Sequence, residues 1–128
     1  MAELFSEPQI KTAIQTLAHH ISTQCKQPLA FIGIETKGYI LANRLKLLCE
    51  EQLHTTIQVG KLDISLYHPL STNSNFVSIG QSSISFSLKG KTIILIDEEI
   101  DTGKTITAAL NALSDYDEPE NIKCCCLL

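Results

Sequence analysis

Ile10, Ala13, Ile14, Leu17, Ala18 and Ile21 recur at the spacing that lines one face of a helix. Ser6 and Gln9 form a capping box ahead of them, and Pro8 suits a first turn, so this helix is predicted to begin near Ser6. Pro28 ends the region. Leu29 to Ile34 is then apolar without alternation, the mark of a strand buried on both faces, as in a parallel sheet. Glu35-Thr36-Lys37-Gly38 reads as a turn. A second helix follows, with Ile40, Leu41, Arg44, Leu45, Leu48 and Cys49 toward one side and Lys46, Glu50 and Glu51 toward the other. Ile57 to Leu66 alternates partially through Val59, Leu62, Ile64 and Leu66, and Tyr67-His68-Pro69 closes that strand. Residues 71 to 83, rich in Ser, Asn and Gly, are predicted to form a surface loop. Thr92 to Ile96 is another buried strand. Lys104 to Leu113 is a helix with Ile106, Ala109, Leu110 and Leu113 on its apolar face, and Ile122 to Leu128 is a last buried strand.

This alternation of strands and helices implies an α/β fold with a mostly parallel sheet flanked by helices. Ligands of such sheets sit at the carboxyl ends of the strands. Two turns lie there, Glu35 to Gly38 and Asp97 to Thr105. The length of 128 residues suits one domain that buries a core without staples, and 44% hydrophobic with 19% charged residues is ordinary globular composition. No apolar run reaches the roughly 18 residues of a membrane span. The start carries Glu3 and Glu7 and no basic-then-apolar pattern, so the cytoplasm is the expected location.

Ten Lys and Arg stand against 14 Asp and Glu, a net charge of -4, which argues against binding nucleic acid through charge alone. None of the five cysteines sits in a C-x-x-C arrangement, and the consecutive Cys124, Cys125 and Cys126 suit neither a disulfide framework nor zinc spacing. They are predicted to be small apolar fillers of a buried strand. His19 and His20, about 100° apart on a helix, cannot easily share a metal; one is expected to be partly exposed and the other packed.

The chemistry concentrates in Ile93-Ile94-Leu95-Ile96-Asp97-Glu98-Glu99-Ile100-Asp101-Thr102-Gly103-Lys104-Thr105. Acids at the end of a buried strand are costly unless they meet water, a metal or hydroxyl groups. Thr102-Gly103-Lys104-Thr105 then leads into a helix, where backbone N–H groups, two hydroxyls and the positive end of the helix dipole suit a phosphate monoester. Acids for sugar hydroxyls beside an anion cradle describe a ribose 5-phosphate. A P-loop reading fails because Glu98 stands where that loop needs its first glycine. A plain acidic turn with a helix cap accounts for one acid but not for the whole constellation.

The segment resembles the phosphoribosyl-diphosphate signature of type I phosphoribosyltransferases, particularly its Val-Asp-Asp-Val-Leu-Tyr-Thr-Gly-Arg-Thr form in the PyrR branch. Asp97 and Glu98 match its ribose-binding acids, and Thr102, Gly103, Lys104 and Thr105 match its 5-phosphate loop. Gly33-Ile34-Glu35-Thr36-Lys37-Gly38 is similar to the family's diphosphate loop, and Leu62 to Tyr67 resembles the strand before its flexible catalytic loop. Leu17 to Ile21 resembles its N-terminal helix, so the likeness covers nearly the whole chain. The resemblance implies a single type I phosphoribosyltransferase-like domain over residues 1–128, with Asp97, Glu98 and Lys37 as catalytic residues and Glu35, Thr36, Lys37 and Gly38 holding the diphosphate. It also implies phosphoribosyl diphosphate and uracil or UMP as ligands. Magnesium would be carried by the diphosphate rather than bound directly, and homo-oligomers are expected. RNA is a partner by resemblance only. The implied activity is that of a uracil phosphoribosyltransferase in pyrimidine salvage; the alternative is a noncatalytic nucleotide-sensing regulator of pyrimidine operon transcription.

The pattern also departs from that family. Glu98 is one methylene longer than the usual aspartate, Glu99 and Asp101 add negative charge, and Lys104 replaces an arginine and loses its bidentate fork. His68-Pro69 stands for the usual Arg-Asp. The chain stops at Leu128, ahead of the further strand and uracil-recognising hood that the resemblance implies, so the domain is expected to be incomplete at its C-terminus.

Overall fold

A computed structural model describes residues 6–64, 82–98 and 104–126, with the backbone alone at 104 and 105. The Ser6 capping box forms as expected: the Ser6 hydroxyl accepts from the Gln9 N–H at 3.4 Å, and the Gln9 side chain accepts from the Ser6 N–H at 2.8 Å. It starts α1, Glu7–Gln24, which buries Ile14, Ala18 and Ile21. Then come β1 (Leu29–Ile34), α2 (Glu35–Leu53), β2 (Gln58–Leu62), β3 (Thr92–Asp97), α3 (Lys104–Leu113) and β4 (Asn121–Cys126).

All four strands run parallel in the order β2-β1-β3-β4. Every residue of β1 is buried, because both edges of the strand are paired and both faces are covered. Phe31, Ile94 and Ile96 point into a core with α1 and α2, through Ala18, Ile21, Leu41, Leu45 and Cys49. On the opposite face Ala30, Ile32, Ile93 and Leu95 pack against Ala108, Ala109, Ala112 and Leu113 of α3. The period-2 alternation of strand side chains sorts one apolar run into two cores.

Several expectations change. Glu35 to Gly38 is not a free turn but the first turn of α2. The second strand ends at Leu62, and residues 65–81, including His68 and Pro69, lie outside the described residues. The last strand is not buried: Cys124 is exposed, and Cys125 and Cys126 are half-buried. Among the described residues β4 pairs only with β3, so one edge and part of its face remain open. Cys125 still rests against the α1–α2 core, where burial pushes its thiol up to about 11. His19 and His20 are both exposed, and Ile40 and Leu110, assigned above to apolar faces, are 57% and 43% exposed. Helical spacing locates a stripe but not its width, which the neighbouring elements decide.

The connection from α2 to β2 is pinned by Glu50. Its carboxylate accepts from the Ile57 N–H at 2.7 Å and from the Lys46 ammonium at 2.9 Å. The Ile57 N–H, then Lys46, hold this carboxyl below the usual range. A depressed carboxyl contributes stability above its unfolded value and loses it as pH falls through the folded one. The stability gap between the native chain and Glu50→Gln should therefore be full at neutral pH and shrink below about pH 4.5, the ordinary value. Urea midpoints of both proteins across that range measure it; a gap independent of pH would contradict the assignment.

Candidate functional site

Two strands at the centre of the sheet diverge in their connections. The chain leaves β1 through α2 to reach β2 on one side, and leaves β3 through α3 to reach β4 on the other. The crevice between the carboxyl ends of β1 and β3 is therefore a topological switch point, where open α/β sheets bind ligands. Both segments singled out in the sequence emerge there. Gly33 pairs in register with Ile96, so Glu35 on one strand exit and Asp97 and Glu98 on the other open into the same crevice.

Two glycines bring these exits together. A Cβ at Gly38 would collide with the Ile96 carbonyl oxygen, and one at Gly33 with the backbone of Gly38 and Tyr39. Only with both Cβ positions empty can the start of α2 lie against β1 and β3 this closely. Glu35 adopts a φ of 56°, a left-handed conformation that costs a non-glycine residue on the order of 1–2 kcal/mol. Ile34, the N-cap of α2, makes no side-chain cap hydrogen bond. Ile34 thus offers no side-chain acceptor to the first N–H groups of the helix, which carry the positive end of its dipole.

Lys37 reaches from this turn toward the other exit, with its ammonium 3.8 Å from the Glu98 carboxylate. Both side chains are exposed, at 80% and 41%, so the pair contributes well under about 1 kcal/mol and separates readily. Asp97 is half-buried, and its carboxylate accepts from the Glu98 N–H at 2.8 Å. That bond sets the direction of one carboxylate oxygen. On the far side of the turn, the Lys61 ammonium of β2 donates to the Thr36 hydroxyl at 3.3 Å.

Of the residues predicted for the site, Glu35, Thr36, Lys37, Gly38, Asp97 and Glu98 thus converge on one crevice. Glu99, Asp101, Thr102 and Gly103, and the side chains of Lys104 and Thr105, lie outside the described residues; α3 begins at Lys104 as expected. Lys61 escaped the sequence reading. It belongs to no motif, and only the parallel pairing of β2 with β1 brings it to the turn.

The whole chain, residues 1–128, matches the phosphoribosyl transferase domain model. The chain belongs to the phosphoribosyltransferase family. Within the family it is PyrR-like. It is 37% identical over 124 residues to the bifunctional protein PyrR of Thermus aquaticus, covering 94% of this chain and 68% of that protein. It is 36% identical over 125 residues to the bifunctional protein PyrR of Nostoc punctiforme, covering 96% and 70%. The fold matches a purine phosphoribosyltransferase from Pyrococcus horikoshii with a TM-score of 0.67 at 22% identity, covering 95% of this chain and 74% of that one. A hypoxanthine phosphoribosyltransferase from Trypanosoma cruzi gives 0.69 at 19% identity, covering 94% and 67%. At these identities the two structures speak for the type I phosphoribosyltransferase architecture alone. Among the described residues, no helix of this phosphoribosyltransferase domain is long and apolar enough to cross a membrane.

Proposed function

We propose that the crevice between β1 and β3 binds phosphoribosyl diphosphate, and that the chain acts as a uracil phosphoribosyltransferase, forming UMP and diphosphate. The observation that carries this reading is the convergence of the Glu35–Gly38 turn and the Asp97–Glu98 pair at the switch point of a PyrR-like chain. Each contributes a different half of the ligand. The N-terminal N–H groups of α2, at the positive end of its dipole, and the Lys37 ammonium suit a diphosphate. The Asp97 and Glu98 carboxylates suit two ribose hydroxyls, and Thr102, Gly103, Lys104 and Thr105 complete the site at the 5-phosphate.

In the reaction uracil forms a bond to the anomeric carbon, the bond from that carbon to diphosphate breaks, and the proton of the uracil nitrogen passes to water. Positive charge builds on the ribose as diphosphate leaves. Asp97 and Glu98 hold the sugar and face that charge, while Lys37 and the α2 amides hold the departing anion. A magnesium ion bound to the diphosphate would neutralise part of its charge. Such an ion keeps several waters and takes phosphate oxygens as ligands, so it needs no direct protein ligand here.

A second reading, a noncatalytic sensor of nucleotide or phosphoribosyl diphosphate that regulates pyrimidine operon transcription, is motivated by the altered acids: Glu98 is one methylene longer than the usual aspartate, and Glu99 and Asp101 add negative charge to the segment. Titration of phosphoribosyl diphosphate by calorimetry, run beside an assay of UMP formation, separates the readings. Binding with turnover supports the enzyme, binding without turnover supports the sensor, and no binding of either phosphoribosyl diphosphate or, in a parallel titration, UMP removes both.

A further inference from the structure

The Lys61–Thr36 contact has no part in the assignment above, yet it borders the same turn. Lys61 lies on β2 opposite Gly33, close to where β1 ends. Its backbone is held from the outer side as well, by paired hydrogen bonds with Ser83 at 3.0 and 2.8 Å. The strand position is therefore well defined, and the residue is half-buried. From that anchor the ammonium reaches the Thr36 hydroxyl. At 3.3 Å this is a long hydrogen bond to a neutral acceptor, weaker than the bond a lysine makes to an anionic oxygen. Among the described residues no carboxylate forms an ion pair with Lys61.

The charge balance of the turn gives this lysine a role. Glu35 and Lys37 cancel formally, and Lys37 is moreover drawn toward Glu98 on the opposite exit. A diphosphate carries several negative charges. A turn with no net charge of its own attracts it poorly, even with helix amides in place. Lys61 adds a cation on the side of the turn away from Glu98.

We propose that Lys61 is a second diphosphate-binding cation, exchanging its bond to Thr36 for one to a diphosphate oxygen. Thr36 holds the ammonium in place until the anion arrives, and Lys37 and Lys61 then clasp the diphosphate from its two sides. This inference rests on the reading of the crevice as a diphosphate site, and it adds a residue from a different strand.

The test uses the full chain, with inorganic diphosphate plus magnesium and ribose 5-phosphate as separate calorimetric probes. Lys61→Ala is expected to weaken diphosphate binding about tenfold, the scale of one lost charge-assisted hydrogen bond. Ribose 5-phosphate affinity should stay unchanged, because that ligand engages the other exit. Lys61→Arg should restore most of the loss. Unchanged diphosphate affinity in Lys61→Ala would overturn the inference alone, as would an equal loss for both probes, which marks a general structural effect. If the unmutated chain binds ribose 5-phosphate but not diphosphate, Lys61 has no such role. If it binds neither probe, the underlying reading of the crevice falls too.

Discussion

Asp97→Asn is expected to weaken binding of phosphoribosyl diphosphate on the order of a hundredfold while leaving the fold intact. A carboxylate accepts hydrogen bonds from sugar hydroxyls through both oxygens, and each charge-assisted bond contributes roughly 1.5–3 kcal/mol. Asparagine keeps one acceptor and turns an N–H₂ group toward a hydroxyl that had been donating. The lost negative charge also faces the positive charge that develops on the ribose, so turnover should fall at least as far as affinity. Asp97 is half-buried at the very end of β3, and the substitution is nearly isosteric, so its packing should persist. Thermal melting should show a small shift, and calorimetry with phosphoribosyl diphosphate and magnesium a large one. Equal affinity in the two proteins would remove Asp97 from the site. Gly103→Val, in the segment expected to approach the 5-phosphate, should abolish binding by putting a branched side chain where the anion sits.

The second large effect is on stability. Gly38→Val places a branched side chain against the Ile96 carbonyl, with the Gly33 carbonyl carbon 3.3 Å from the new Cβ. These are backbone atoms of two central strands, with neither rotamers nor slack to relieve the clash. Overpacking of this kind costs about 3 kcal/mol or more, which lowers the melting temperature by roughly 10 °C in a domain of this size. The displacement would also push the first turn of α2 away from β3, so diphosphate binding should weaken even in molecules that remain folded. Gly90→Ala is the comparison. No atom lies within 4 Å of a Cβ there, and only the φ of +75° opposes it, so about 1 kcal/mol is expected. A melting temperature for Gly38→Val as high as that of Gly90→Ala would show that α2 can rise from the sheet without penalty.

The elements legible in the sequence were those whose environment is the same at every position. Residues 29–34 and 93–96 are apolar throughout, because both faces and both edges of β1 and β3 are occupied. The α1 capping box is a local contact and needs no partner. Less legible was whatever depends on where another element lies. Cys124 to Cys126 have the composition of a buried strand, yet β4 is an edge strand in the described residues. Ile40 and Leu110 fit helical stripes that are narrower in the fold than in the sequence, because the sheet covers only part of each helix.

The candidate site divides the same way. By itself the sequence determined its two chemical halves: acids at the end of a buried strand, and a Thr-Lys-Gly turn leading into a helix. Each is contiguous in the chain and set by short-range constraints of strand, turn and dipole. Only the tertiary structure decided that the halves face one crevice, since strand order is settled by which helix packs on which face of the sheet. It also decided the reach of Lys37 to Glu98 and the arrival of Lys61 beside Thr36. Those contacts join residues far apart in the chain, and they form only because Gly33 and Gly38 lack the atoms that would hold α2 off the strands.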